Sequence, residues 1–315
     1  MSPLAPSGQL ESRDCPLHPG AQDEPVLRGH DRLNGIQGEF CLVRCSVCGL
    51  LRTNPRPTAA GMAAYYPDHY APYLGTKTSA NPPRKAAWRR YARGMVEPNT
   101  HRLPPLPPGR VLELGCASGA FLRGLVDAGW HGVGIEFSSS AAESARQAGL
   151  EVYTGSVETA PEPAAPFDLI VAWMVFEHLH DPLRTLEVLR RWSRPGAWLV
   201  LSVPNAGSFE FALFRQYWYA LHLPNHLYHY TPATLRAVLH RGGWRVQRVF
   251  HQRMLGNLVG SLGHALQGRA SFAETLIRLQ SRAGWSLHAP LFPLATLLAH
   301  FGQTGRMTVW AQRDA

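Results

Sequence analysis

From Arg110 onward, short apolar runs alternate with longer stretches whose apolar positions recur every three or four residues. The runs Arg110–Leu114, Gly132–Glu136, Leu150–Thr154, Phe167–Trp173 and Trp198–Val203 predict strands, and Trp244–Gln252 and Met307–Gln312 add two more. Between them, Ala120–Ala128, Ser140–Ala148, Leu183–Arg191 and Pro232–Arg241 read as amphipathic helices. Leu169 to Trp173 is apolar at every position, as expected of a strand covered by helices on both faces. Such alternation implies right-handed crossovers and an α/β fold: a Rossmann-like, seven-stranded, doubly wound sheet.

The rest of the chain breaks this pattern. Residues 1–60 hold most of the cysteines and show little helical periodicity, and 61–108 form an aromatic, basic region ending in a stiff proline-rich linker at 103–109. The core then covers 109–253, and 254–315 carry a helical insertion and the last strand. That insertion is far longer than a hairpin needs. Its apolar run from Trp285 to Phe301 suits either packing over an acceptor site or a membrane surface.

Composition narrows the partners. With 45% hydrophobic and 17% charged residues the chain is globular, and its formal charge is +9. The basic residues are almost all Arg, Lys appearing only at 77 and 85, and they are spread along the chain. A diffuse habit of this kind argues against nucleic acid as a partner. The N-terminus has no basic start followed by an apolar core, and no run of about 18 apolar residues exists. The odd count of five cysteines favours reduced thiols and a cytoplasmic setting.

The chemistry concentrates where the strands end. Glu113-Leu-Gly115-Cys-Ala-Ser-Gly119 leads from the first core strand straight into a helix, so backbone can approach a ligand closely. Glu136, about 20 residues on, ends the second strand, where a carboxylate can accept both hydroxyls of a ribose. The loop lacks the third spaced glycine of the dinucleotide fingerprint, which disfavours a pyrophosphate cofactor.

The residues RVLELGCASGAFL, GVGIEFS, FDLIVAWMVFEHLHDP and RPGAWLVLSVPN, in that order over about 105–250, resemble the motifs of class I methyltransferases that use S-adenosylmethionine. The resemblance implies that Glu113, Gly115, Cys116 and Gly119 surround the methionine part of that cofactor and that Glu136 holds its ribose. It sets Phe137 against the adenine, Ser156 and Val157 at the adenine edge, and Trp173 or Met174 across the pocket. Many relatives carry an acid near Ser156, whereas this chain reads TGSVET. Cys116 is expected to be a small packing residue.

Cys45-Ser-Val-Cys48-Gly49 has zinc-knuckle spacing, and Cys15-Pro-Leu-His18 offers a second pair at the same spacing. Together these four side chains are the expected ligands of a structural zinc, with Cys41 or His30 as substitutes for His18. The continuation to YYPDHY resembles the zinc-ribbon start of a bacterial methyltransferase group associated with sugars and surface polysaccharides, departing from it by His18 where a cysteine is usual.

Methyl transfer to a hydroxyl or carbon acid needs a proton acceptor. Glu177-His178, and His226 and His229 in LPNHLYHYTP, are the candidates; Thr231-Pro232 reads as a helix N-cap. These motifs also resemble quinone-biosynthesis O-methyltransferases, in which a second acid helps hold a metal; Met174 stands there, so no catalytic magnesium is expected. The expected acceptor is a small molecule, either a sugar nucleotide or a lipid-linked glycan. The rivals are a ribosomal RNA methyltransferase gripping RNA through its ribbon and a non-catalytic binding module.

Overall fold

The computed structural model describes residues 10–66, 100–282 and 284–314. Most of the expected linker region, 67–99, lies outside them. The core is a seven-stranded sheet built from β6 (Arg110–Leu114), β7 (His131–Glu136), β8 (Glu151–Thr154), β9 (Phe167–Trp173), β10 (Ser193–Pro204), β12 (Trp244–His251) and β13 (Arg306–Arg313). Its order is β12-β13-β10-β9-β6-β7-β8. The strands run parallel except β13, which is antiparallel to both its neighbours.

The central strand shows why the sequence reads as it does. In β9 every residue from Leu169 to Ala172 is fully buried, because helices cover both faces. Helices α1 (Ala120–Asp127), α2 (Ser139–Gln147), α3 (Pro182–Trp192) and α5 (Pro232–Arg241) fall at the expected stretches; α4 (Phe209–Phe214) is a short extra turn after β10. The Asp181 carboxylate accepts from the Arg184 amide to start α3, with Pro182 in the first turn. Thr231 and Thr234 cap α5 reciprocally, the Thr234 amide donating to Thr231 Oγ1 at 3.1 Å. The insertion folds as α6 (Gly256–Leu266), α7 (Ala273–Arg282) and α8 (Gly284–His300). No described helix is long and apolar enough to cross a membrane.

The N-terminal segment forms a second sheet of β2 (Asp23–Gly29), β3 (Phe40–Cys45) and β4 (Leu51–Thr53), beside a small ladder of β1 (Leu10–Glu11) with β5 (Arg56–Pro57). Its fourth strand, β11 (Tyr228–His229), comes from the core and pairs antiparallel with β4. The ribbon is therefore stitched to the loop that follows β10. Arg52, buried in β4, is matched by an ion pair with Asp23.

Close packing leaves a test inside β7. A Cβ added at Gly134 would stand 2.6 Å from Cys116 Sγ. Gly134→Ala should destabilise the fold by about 1–3 kcal/mol in urea unfolding, and Cys116→Ala in the same chain should restore part of the loss. Additive losses would show that this contact does not set the packing.

Candidate active site

Three residues with left-handed backbone, Gly115 (φ 65°), Ala117 (φ 47°) and Gly119 (φ 78°), turn the chain from β6 into α1. Ala117 adopts this conformation despite its Cβ, at a cost of about 1 kcal/mol. Its amide is held by Glu136, whose Oε2 accepts from Ala117 N–H at 2.9 Å while Oε1 accepts from Ser138 N–H at 2.8 Å. One carboxylate thus ties the glycine loop to the end of β7. A Cβ at Gly115 would lie 2.4 Å from Val175, so packing and turn both demand glycine there.

Next to Glu136, Phe137 leaves its ring 64% exposed, an aromatic surface uncovered beside a carboxylate. Val157 is buried, and the Ser156 amide donates to Thr159 Oγ1 at 3.3 Å. Trp173 ends β9 edge-on to Phe121 and His101, at 5.1 and 4.8 Å between ring centroids. Met174 (φ 57°) donates its amide to the Ser202 carbonyl. Burial pushes Glu113 up to about 8, the Glu136 charge adding to the effect, and burial likewise raises the Cys116 thiol. Cys116 is therefore protonated and packs as a small apolar residue.

Across the strand ends, His178, His222, His226 and His229 form a histidine cluster. The His226 ring lies 4.6 Å from His178 and 4.9 Å from His222, and 6.3 Å from His229. Hydrogen bonding sets the tautomers. A carbonyl can only accept, so His226 Nδ1–H donates to Ala220 O at 2.9 Å, leaving the Nε2 lone pair 3.9 Å from Glu177 Oε1. His178 Nδ1–H likewise donates to Asn225 O at 3.0 Å, with the Tyr66 hydroxyl at 2.9 Å from the same nitrogen. The His178 Nε2 lone pair is then available.

His229 is different. The Thr53 hydroxyl donates its single proton to His226 O at 2.7 Å, so it must accept from His229 Nε2–H at 3.3 Å. His229 reads as a fastener between β4 and the histidine loop.

Desolvation keeps the cluster neutral. Burial drops His178 to about 4 and His222 and His229 to about 3, and it holds His226 well below the usual imidazole range. Glu177 is fully buried, its carboxyl oxygens find no partner in another described residue, and burial pushes it up to about 8. Glu177, His178 and His226 bring one donor atom each within 4.8 Å of one another. That spacing could accommodate a divalent cation, whereas Met174 withholds the second carboxylate that the quinone-type resemblance calls for.

In the N-terminal sheet, Cys15, Cys45 and Cys48 place their sulfurs within 4.8 Å of one another, with Cys15 and Cys48 at 3.6 Å. A tetrahedral zinc with Zn–S bonds of about 2.3 Å has S–S edges of about 3.8 Å. The Gly49 amide donates to Cys45 O at 2.9 Å, and Cys45 N–H donates to Leu50 O, closing the knuckle turn. His18 is exposed and not gathered with the three sulfurs. Cys41 bonds the neighbouring Leu42 carbonyl and His30 Nδ1 bonds Gly38 O, so neither joins them.

A glycine loop, a carboxylate one strand over and a histidine cluster all lie where the strands of this doubly wound sheet end. A methyltransferase-domain family model matches residues 88–249, and the chain belongs to that family. The ubiquinone biosynthesis O-methyltransferase of Hahella chejuensis is 33% identical over 117 residues, 34% of this chain and 49% of that protein. Its counterpart in Xylella fastidiosa is 28% identical over 162 residues, 47% of this chain and 66% of that one. The chain spans about half the length of the first of these relatives. An S-adenosylmethionine dependent methyltransferase structure from Mesorhizobium loti is 18% identical and covers 73% of this chain and 99% of its own, with a TM-score of 0.45.

Sequence reasoning grouped Asn225 with the loop histidines but missed Tyr66, His222 and Thr53. The paired tyrosines at 65 and 66 and the NH pair at 225 and 226 were visible, but nothing in the spacing says that they meet Glu177-His178.

The buried acids and imidazoles set a pH window for stability. Glu177 is raised from 4.5 to about 8, so the native state keeps a proton that the unfolded chain has released; this contribution is full below pH 4.5 and is lost as pH rises through about 8. The histidines act oppositely, lowered from 6.5 to about 3–4, so they favour the fold above 6.5 and lose that contribution in acid. Urea unfolding should give greatest stability near pH 6–7. Glu177→Gln should be more stable than wild type at pH 8.5 by about 1–3 kcal/mol, and less so at pH 5.5. An equal difference at both pH values would mean that Glu177 ionises normally.

Proposed function

We propose that the chain transfers a methyl group from S-adenosylmethionine to a polar small-molecule acceptor, at a hydroxyl or an acidic carbon. The observation that carries this reading is the pairing of Glu136, which bridges the glycine loop and β7, with the uncovered Phe137 ring beside it. A carboxylate for two ribose hydroxyls and an aromatic face for adenine are the two features that an adenosine needs. When bound, the cofactor supplies an electrophilic methyl group and leaves as a neutral thioether. Gly115 and Gly119 let backbone approach its methionine part, while Trp173, Phe121 and His101 close the adjoining end.

His178 Nε2 takes the acceptor's proton as the new bond to the methyl carbon forms. The Asn225 carbonyl and Tyr66 hydroxyl orient His178 through Nδ1, and His226 and Glu177 form the polar wall behind it. So many polar groups suit a hydroxyl-rich acceptor, which favours a sugar nucleotide or lipid-linked glycan over an apolar one. The names of the relatives support a second reading, O-methylation of a quinone precursor.

We further propose that Cys15, Cys45 and Cys48 hold a structural zinc. The edge-length spacing of the three sulfurs and the knuckle turn support it.

Calorimetry with S-adenosylhomocysteine should show binding to wild type, a loss of at least tenfold in Glu136→Ala and Gly115→Arg, and no more than a threefold change in His178→Ala. Folded wild-type protein that fails to bind would remove the methyltransferase reading. Elemental analysis should find one zinc per chain, lost in Cys48→Ser together with several degrees of melting temperature. Metal-free wild type of undiminished stability would refute the zinc assignment.

A further inference from the structure

One cation shares the sheet edge with the histidines. Arg306 opens β13 opposite Pro204, the last residue of β10. Its position is rigid: Asn205 Nδ2 donates to the carbonyls of Gly302 and Thr304, both at 3.1 Å, and Asn205 N–H donates to Gly305 O at 2.9 Å. On its other side the Gln252 amide donates to Arg306 O at 3.0 Å.

The side chain is less well satisfied than the backbone. Arg306 Nη2 donates to Asn257 Oδ1 at 3.2 Å, and it makes no ion pair among the described residues. Arg306 Nε–H and the Asn257 Nδ2 amide are both buried donors with no acceptor among the described residues. Burying an unpaired guanidinium costs several kcal/mol, which a bound anion would recover.

The nearby acids do not saturate it. Glu210, fully buried in α4, spends Oε1 on the Gly305 amide at 3.0 Å. Among the described residues neither Glu210 nor Glu177 comes within ion-pair distance of the guanidinium. Gln252, which pairs with the Arg306 carbonyl, also donates Nε2–H to Ser202 Oγ at 2.7 Å, and the Ser202 carbonyl accepts from Met174 N–H. Arg306 therefore lies at the strand ends next to Met174, where the acceptor is proposed to sit.

We propose that Arg306, with the Asn257 amide, binds an anionic group, phosphate or carboxylate, carried by the methyl acceptor. The inference rests on the methyltransferase reading and narrows it to a charged acceptor. The Nε–H and the second Nη2 proton present the side-on fork that such an anion accepts, and Asn257 Nδ2 adds a third donor.

The test titrates glucose 1-phosphate, glucuronate and uncharged glucose into the full chain loaded with S-adenosylhomocysteine, read by calorimetry. At least one anion should bind and glucose should not; the tighter anion identifies phosphate or carboxylate as the group. Arg306→Gln should weaken the anion at least tenfold while S-adenosylhomocysteine affinity stays within twofold. Asn257→Leu should weaken it severalfold, which keeps the test open if the arginine variant does not fold. Glu210→Gln should tighten it by removing a competing carboxylate. Anion binding that survives Arg306→Gln, or no anion binding to loaded wild type, overturns the proposal. Should S-adenosylhomocysteine itself not bind, the methyltransferase reading fails, and the same titration on the free protein still reads Arg306.

Discussion

The site depends on the hydroxyl of Thr53. It donates to the His226 carbonyl and accepts from His229, so one side chain of the N-terminal sheet fixes both the backbone and a ring of the histidine loop. The adjoining β4–β11 pairing adds main-chain hydrogen bonds to the same joint. An irregular loop after β10 would otherwise be free to sample many conformations, at an entropic cost of about 1–2 kcal/mol per residue when ordered. Pairing it with a preformed sheet meets that cost during folding. The ribbon is consequently part of the site's framework, and a metal that rigidifies the cysteine end would act on the histidines through it.

The second constraint is desolvation. Four imidazoles and the Glu177 carboxyl share a region largely withdrawn from solvent, and each is driven toward its neutral form. Neutral imidazoles can both donate and accept, which lets the Ala220 and Asn225 carbonyls select one tautomer for each ring. The outcome is a set of lone pairs aimed by backbone geometry. Glu136 works by the opposite means: its carboxylate oxygens accept two main-chain amides and fix the loop that precedes α1.

Much of the architecture was legible in the chain. Strands from Arg110, Phe167 and Trp244 begin where the sequence runs begin, and the run from Leu169 is apolar throughout because that central strand is covered on both faces. Asp181 and Thr231 marked helix starts by capping chemistry that is local in sequence. The knuckle at Cys45 and Cys48 could be read from its spacing, and Cys15 does join it. His18 belonged to the same spacing argument but stands exposed on its turn, because spacing fixes which residues can reach a site and not which way a turn points them.

What the sequence alone determined is everything with a short period: the doubly wound alternation, the glycine loop, the carboxylate that ends the second core strand and the cysteine knuckle. Tertiary structure alone decided the partners of the buried polar groups. Tyr66 reaches His178 across 112 residues, Thr53 reaches His229 across 176, and Arg306 reaches Asn257 from the far side of an inserted helical segment. Such pairs leave no periodic trace, since hydrogen bonds between distant segments depend on how sheets and loops pack. Protonation states belong to the same category, because a carboxyl or imidazole acquires its pKa from the solvent that folding removes.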